Sequence, residues 1–327
     1  MIDNIKEKYS VGALLYSPAL NSGVAGRVIS GEFGSRYSLA LCLEDTISPD
    51  LVPRAENQVR ETLERIYRAS REQEMSVPRI FVRVREPEQA ERVFDLISPF
   101  QDVFTGFVFP KYTVANAAFY NEAIRKVNDR AGRTVFMMPI LESGDIVDFR
   151  TRAEMLGAIR DLTDSVKDLV LNVRVGGNDF SNEFAARRHA DETIYDILPI
   201  SQLLGDIITV FARDYVVSGP VWEYFAGAND EWKSGLEREL RKDILNGFIG
   251  KTVIHPRQIP VVNEMLRVSV RDYEDARAIL SWDESGLQVG KSSGGERMNE
   301  VRTNCNWAAK ILLLAEIYGI RKEHVQA

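Results

Sequence analysis

The sequence is short of the features that mark nucleic-acid binding, membrane insertion or disulfide stapling. Acidic residues outnumber basic ones, 48 to 41, for a net charge of −7. Phosphate backbones are held by a basic face, so nucleic acid is not an expected partner, although a local basic site for a small anion is compatible with this balance. No apolar run approaches the ~20 residues that cross a bilayer, and the longest candidates are interrupted by Glu44, Asp45 and Arg83. The segment Met1 to Tyr9 is charged and lacks the apolar stretch of a secretion signal. Cys42 and Cys305, the two cysteines, lie far apart without metal-ligand spacing, and Cys42 reads as a small hydrophobe buried in an apolar run. Disulfides are therefore not expected, and a reducing, cytoplasmic location is. Among three histidines, His255 has no second histidine at ligand spacing. No G-x-G-x-x-G pattern opens the first helix, which argues against an open dinucleotide-binding sheet.

What the sequence does have is a rhythm. Its 327 residues, 45% hydrophobic and 27% charged, are enough for a large core. Short β-rich runs at 12–18, 37–46, 79–85, 106–112, 134–143, 168–179, 215–219 and 252–256 alternate with longer amphipathic stretches such as Arg54 to Glu72, Val114 to Asp129 and Trp232 to Leu245. Apolar strands alternating with helices imply parallel strands joined by crossovers, and eight such units predict an α/β fold, a closed (β/α)8 TIM barrel. The barrel is expected over residues 1–267, and a C-terminal helical extension with a lid over 268–327. Within the extension, Asp283 to Gly295 is rich in glycine, serine and charge and reads as a flexible loop. Glu300 to Tyr318 reads as a helix whose Trp307, Ile311, Leu312 and Leu314 need a packing surface, on the barrel or on a neighbouring subunit.

Catalytic groups of such a barrel stand at the C-terminal ends of its strands. The polar residues that fall there are Glu44, Asp45, Arg83, Arg85, Lys111, Glu142, Asp179 and His255. Glu142 and Asp179 close successive strands, which lie ~4.8 Å apart in a sheet. Two carboxylates converging there suit Mg²⁺, which prefers hard oxygen ligands; the competing reading makes them loop acids, with Asp179 capping the turn that follows. Glu44 and Asp45 form a second acidic pair that either orients metal-bound water or hydrogen-bonds the barrel rim. Arg83, within Phe81-Val82-Arg83-Val84-Arg85, is costly to bury without an anion. It either clamps a substrate carboxylate and stabilises oxyanion charge or pairs with Glu44 or Asp45, and Arg85 shares its face by alternation. Lys111 reads as an ion-pair partner before a Schiff-base lysine. His255, between Ile254 and Pro256, reads as a structural histidine before a general base.

Taken in order, Leu43-Glu44-Asp45, Val82-Arg83-Val84, Pro110-Lys111, Pro139-Ile140-Leu141-Glu142 and Gly176 to Asp179 resemble the citrate lyase β-subunit-like members of the HpcH/HpaI aldolase superfamily. The strongest piece is Gly247-Phe248-Ile249-Gly250-Lys251-Thr252-Val253-Ile254-His255-Pro256-Arg257-Gln258-Ile259, followed by Val262-Asn263, and the ordered set spans most of the chain. The resemblance implies a Mg²⁺ site made by Glu142 and Asp179, an Arg83 that binds the oxo or carboxylate group of the substrate, and a Glu44-Asp45 pair that supports the metal through water. It implies a Mg²⁺-dependent carbon–carbon lyase, or aldolase, that cleaves or forms a 3-hydroxy acid or 3-hydroxyacyl thioester to give an enolate product and a 2-oxo acid. Coenzyme A is the implied carrier, and a homo-oligomer, trimer or hexamer, the implied assembly, with a C-terminal segment reaching over a neighbour's site. Two departures stand out. Where relatives carry an Asp-Gly-Lys-Met-Ile-Asp-like stretch, the chain has Gly295-Glu296-Arg297-Met298-Asn299-Glu300, so Glu300 takes the place of a lid aspartate that helps catalysis in trans. Arg174, in Asn172-Val173-Arg174-Val175, stands where relatives are small and apolar, which implies an altered pocket. Two alternatives use the same residues: a malyl-type acyl-CoA thioesterase that directs water at the thioester, and a non-catalytic subunit that binds a metabolite or a partner protein.

Overall fold

The structure is a computed structural model that describes residues 2–34, 36–282 and 287–321. The β-rich runs form strands β1 (Ala13–Pro18), β2 (Ser38–Cys42), β3 (Arg79–Arg83), β4 (Gly106–Phe109), β5 (Phe136–Leu141), β6 (Val173–Val175), β7 (Val217–Ser218) and β8 (Lys251–Val253). All pair in parallel, in the order β7-β6-β5-β4-β3-β2-β1-β8. A parallel bridge from Gly219 to Lys251 and a backbone hydrogen bond from Ile249 N–H to the Val217 carbonyl (2.8 Å) join β7 to β8 and close the ring. The expected TIM barrel is what forms.

Strands β2 and β5 are buried along their whole length, as parallel strands must be when helices cover one face and the barrel interior the other. The covering helices show the matching stripe: Val52–Glu72 buries Ala55, Val59, Thr62, Leu63 and Ile66, the spacing of one helical face. The interior is filled by Leu14, Ala40, Phe81, Val108, Phe136, Met138 and Ile140. Side chains alternate along a strand, so counting in twos from these residues brings Tyr16, Cys42, Arg83 and Glu142 to the same inward face. Arg174, in register with Ile140, faces inward too. The fold thus delivers all five to one mouth.

One strand differs from its sequence expectation. The run 168–179 reads as a strand ending in Asp179, but β6 stops at Val175 and Gly177–Glu183 is a short helix, so Asp179 stands in a helical first turn. The cause is the pair Gly176-Gly177, whose lack of side chains lets the chain turn sharply beneath its neighbours.

The chain divides into two compact units, residues 11–262, which hold the barrel, and residues 1–10 with 263–327. In the second unit, helices Val270–Leu280 and Val301–Tyr318 pack through Ala276, Ile279 and Ala308, with Trp307, Ile311 and Leu312 against them. Its own chain therefore covers part of the apolar face that suggested a partner. Most of the stretch expected as a loop is instead a hairpin, Val289–Lys291 paired with Met298–Glu300. Gly295 takes the positive φ (73°) of its turn. Asp275 fastens it, accepting from Ser293 N–H (2.8 Å) and the Arg297 guanidinium (2.6 Å). Asp283 to Gly286, the start of the expected loop, lie outside the described residues. Among the described residues, no helix is long and apolar enough to cross a membrane.

Candidate active site

A cavity of about 390 Å³ opens at the C-terminal mouth of the barrel. Tyr16, Cys42, Arg83, Arg174 and Thr252 line it from the strands, Asp45, Glu142 and Gly176 from the segments that follow strands, and Asp179 from the short helix after β6.

Arg83 is the hub. Its Nη2 lies 2.7 Å from Glu44 Oε2, 3.2 Å from Asp45 Oδ2 and 3.3 Å from Glu142 Oε1. The ion-pair reading of this residue is what forms, and the same arginine lines the cavity. Only one nitrogen makes those pairs; Nε is buried with no hydrogen-bond partner. Burial works against the charge, but Tyr16, Glu142 and Glu44 around it outweigh burial and keep the guanidinium firmly protonated. Arg85, on the same strand face, goes elsewhere: its Nη1 donates to the carbonyls of Leu43 (3.1 Å), Glu44 (3.0 Å) and Ile47 (2.9 Å) and holds the acidic loop in shape.

Glu142 is buried with its two oxygens in different employment. Oε1 accepts from Lys111 N–H (2.9 Å) and sits beside Arg83. Lys111 reaches that position at φ 48°, uncommon for a residue with a side chain and a strain on the order of 1–3 kcal/mol. Asn116 braces the turn by donating to the Lys111 carbonyl (2.8 Å), and Lys111 Nζ pairs with Glu44 Oε1 (2.9 Å). Oε2 of Glu142 faces Asp179. A Cβ placed on Gly176 would lie 2.5 Å from Glu142 Oε2 and 2.9 Å from Asp179 Oδ2. Both carboxylates thus border one small point, and only glycine leaves it open. Gly177 is as constrained, with its Cβ position 2.6 Å from Pro220.

The electrostatics follow from this crowding. Burial pushes Glu142 up to about 8, against the pull of Arg83 and helped by the Asp179 charge. Burial also raises Asp179, though Arg83 opposes it. Glu44 is raised by burial and by its hydrogen bond with Asp45. For Asp45 burial is outweighed by the hydrogen bond with Glu44 and the charges of Arg83 and Lys111, which hold it below the usual carboxylate range. Among the described residues no group of three or more His, Cys, Asp or Glu is arranged to hold a metal; a cation here would rest on two carboxylates.

His255 is not among the residues that line this cavity. His255 stacks on Phe225 (centroids 4.7 Å apart) and its Nδ1 accepts from Arg257 N–H (3.2 Å). Glu300 belongs to the second unit, at the end of the hairpin, where its N–H donates to Asn304 Oδ1 (2.9 Å). Within the motif around His255, Gln258 and Lys251 are structural. Gln258 accepts from the Ile254 and His255 amides (2.8 and 3.1 Å). Buried Lys251 pairs with Glu239 (2.8 Å) and Asp243 (2.7 Å). Sequence reading missed Tyr16, Thr252 and the Lys111 main chain. Tyr16 was within reach by counting in twos along β1, whereas nothing in the sequence marked the amide of Lys111.

Residues 5–320 match the family described as C-C_Bond_Lyase of the TIM-Barrel fold. No curated protein matches the sequence. Among solved structures, the chain is similar to CitE from Mycobacterium tuberculosis in complex with magnesium, acetoacetate and coenzyme A, at 20% identity and a TM-score of 0.60 over 94% of this chain and 99% of that one. It is also similar to a citrate lyase β subunit from M. tuberculosis complexed with oxaloacetate and magnesium (20%, TM-score 0.51, 80% and 98%). A third, RipC from Yersinia pestis, shares 15% identity (TM-score 0.53, 79% and 95%). At such identities these likenesses are of fold, while the family match spans nearly the whole sequence: the chain belongs to the carbon–carbon bond lyases of the TIM-barrel fold.

Proposed function

We propose that the protein is a Mg²⁺-dependent lyase that splits a 3-hydroxy acid or 3-hydroxyacyl thioester into an enolate and a 2-oxo acid, or joins them in reverse. The observation that carries this reading is the pair of carboxylate oxygens, Glu142 Oε2 and Asp179 Oδ2, converging beside Gly176 under a cavity wide enough for substrate. One or two carboxylates, with the other positions left to water and substrate oxygens, are what Mg²⁺ prefers, so the residues fit the ion. The similar M. tuberculosis structures, crystallised with magnesium and with coenzyme A, acetoacetate or oxaloacetate, support both the cation and the substrate class.

The bond between the hydroxyl-bearing carbon and the carbon next to the acyl group breaks. Its electron pair stays on the acyl fragment as an enolate, and the hydroxyl-bearing carbon becomes the oxo carbon. When bound, Mg²⁺ supplies Lewis-acid stabilisation of the oxygen that takes up negative charge. Arg83 adds fixed positive charge at the same place, and its Nε has no hydrogen-bond partner within the fold. Asp45, half exposed, held ionised and facing the cavity, is placed to take the hydroxyl proton on its carboxylate. Glu44 and Lys111 hold Arg83 and Glu142 in position. Glu300, from a neighbouring copy in a homo-oligomer, completes the site in this reading.

The test is product analysis with malyl-, citramalyl- and citryl-thioesters in the presence of Mg²⁺. A 2-oxo acid with an intact shorter thioester is the expected result. Release of free thiol with the hydroxy acid would make the protein a thioesterase, and Mg²⁺ binding without turnover of any substrate would make it a binding subunit.

A further inference from the structure

Arg174 has no place in the scheme above, yet it is 1% exposed and lines the cavity. It lies one inward layer deeper than Glu142, because its register partner on β5 is Ile140. Among the described residues no carboxylate is within ion-pairing distance of it. Its partners are neutral: Thr252 Oγ1 accepts from Nη2 (2.7 Å), Asn172 Oδ1 from Nη1 at the outer limit (3.5 Å), and the Tyr16 hydroxyl accepts as well. Two buried nitrogens in this nest have no partner, Arg174 Nε and Asn172 Nδ2. Both are donors. Burying a guanidinium without an anion is costly, and folds keep such a charge where something else is to satisfy it.

We propose that Arg174, with Tyr16, Thr252 and Asn172, forms a receptor at the bottom of the cavity for a second carboxylate of the substrate, separate from the oxygens held at Glu142, Asp179 and Arg83. One uncompensated positive charge matches one carboxylate. A phosphate dianion would need more charge than this nest holds. The Tyr16 hydroxyl accepts from Arg174 and keeps its own proton, since burial raises it to about 12, so it donates to the incoming anion alongside the guanidinium. Tyr16 also lies against Arg83, whose Cζ is 5.8 Å from its ring centre, and so separates the two anion positions. The substrate is then a compound with a carboxylate at each end of the oxo-acid half. This assignment rests on the lyase reading.

The experiment is calorimetric titration, in saturating Mg²⁺, of the wild type, Arg174→Met and Arg174→Lys with 2-oxo acids matched in length: oxaloacetate against 2-oxobutyrate, and 2-oxoglutarate against 2-oxovalerate. A charge-assisted pair in a dry site is expected to favour at least one dicarboxylate by about tenfold to a hundredfold. Arg174→Met should level that preference while leaving Mg²⁺ and monocarboxylate affinity within about twofold. Arg174→Lys should keep part of it, because the charge remains and the fork is lost. Melting temperature adds a readout that a purely structural arginine would move the other way: Arg174→Met should be as stable as the wild type or more so. Oxo-acid binding with no dicarboxylate preference in the wild type, a preference unchanged in the variants, or an Arg174→Met protein that fails to fold each overturns the receptor and leaves the lyase reading standing. Failure of every oxo acid to bind with Mg²⁺ removes both.

Discussion

Replacing Arg83 by lysine should separate the two jobs that this side chain performs. All three of its ion pairs run through Nη2, to Glu44, Asp45 and Glu142. A lysine Nζ is a point charge that can occupy that one position, so the carboxylates keep their counter-charge and the loss of stability should stay near 1 kcal/mol. The planar fork beyond Nη2, including the unpaired Nε, has no equivalent in lysine. If that side meets the developing oxyanion, its removal should lower kcat about 10²–10³-fold, or ~2.7–4 kcal/mol of transition-state stabilisation. Arg83→Met is the contrasting change. It leaves Glu142, 3% exposed, without a cation and Glu44 with Lys111 alone, and should cost about 3–5 kcal/mol once the pH passes about 8, where Glu142 ionises. That loss should shrink as the pH falls, because Glu142 is then neutral in the folded chain and needs no counter-charge. The assays are urea unfolding from pH 4 to 9 and turnover of whichever thioester the product screen identifies. An Arg83→Lys enzyme with wild-type kcat would refute the oxyanion role, and one as unstable as Arg83→Met would refute the point-charge argument.

Glu142→Gln and Asp179→Asn should each weaken Mg²⁺ binding by at least tenfold in calorimetry, whereas Cys42→Ser should leave it unchanged; unaltered affinity in both carboxylate variants would remove the metal site. In metal-free protein, Glu142 at about 8 titrates above its unfolded value of ~4.3. Its protonated form is thus favoured by folding. That contribution is fully present below about pH 4 and is lost as the pH rises through about 8. Wild type should therefore lose roughly 3–5 kcal/mol relative to Glu142→Gln between pH 4 and 9, read by urea unfolding in chelator; parallel pH profiles would contradict the burial argument. Lys251→Met leaves Asp243 buried without a cation and Glu239 with Arg188 alone and should destabilise by about 3–5 kcal/mol, with kcat per folded molecule unchanged; selective loss of kcat would show that a catalytic lysine had been taken for a structural one. Glu300→Gln should lower turnover at least tenfold with Mg²⁺ affinity and solution mass unaltered, and full turnover would remove Glu300 from the mechanism.

The architecture was legible because barrel strands have to be apolar on both faces, and that leaves continuous runs separated by amphipathic helices. The helix Val301–Tyr318 falls within one residue of the expected Glu300 to Tyr318. The carboxylates, Arg83 and Lys111 were legible for a related reason: a charge that ends an apolar run has nowhere to go but the mouth. The misjudged elements are those where tertiary contacts override local composition. Gly176 and Gly177 read as the tail of a strand, and only the crowding by Glu142 and Pro220 shows why they must turn. The glycines and serines before Glu300 read as slack chain, but the Asp275 carboxylate, distant in sequence, fastens them into a hairpin. Arg85 and Arg83 were indistinguishable by alternation, and three carbonyls of the loop after β2 hold Arg85 while Arg83 lines the cavity.

Buried cations in this barrel show how a structural charge is told from a functional one. Lys251 is fully buried and touches two carboxylates, Glu239 and Asp243. Arg188, 1% exposed, pairs with Glu239 at 3.0 Å. Each has its anion supplied by the fold, so its charge is spent on holding helices against strands, and no ligand is needed to account for it. Arg83 is intermediate: three carboxylates share one of its nitrogens, and its buried Nε has no hydrogen-bond partner. Arg174 has neutral neighbours only, two of them hydroxyls. A low-dielectric interior magnifies an unpaired charge as much as a paired one, so the least compensated cation exerts the strongest pull on an anion that enters. Ranking buried charges by what the fold leaves unsatisfied, rather than by how deeply they lie, therefore points to Arg174 as the side chain with most to gain from substrate.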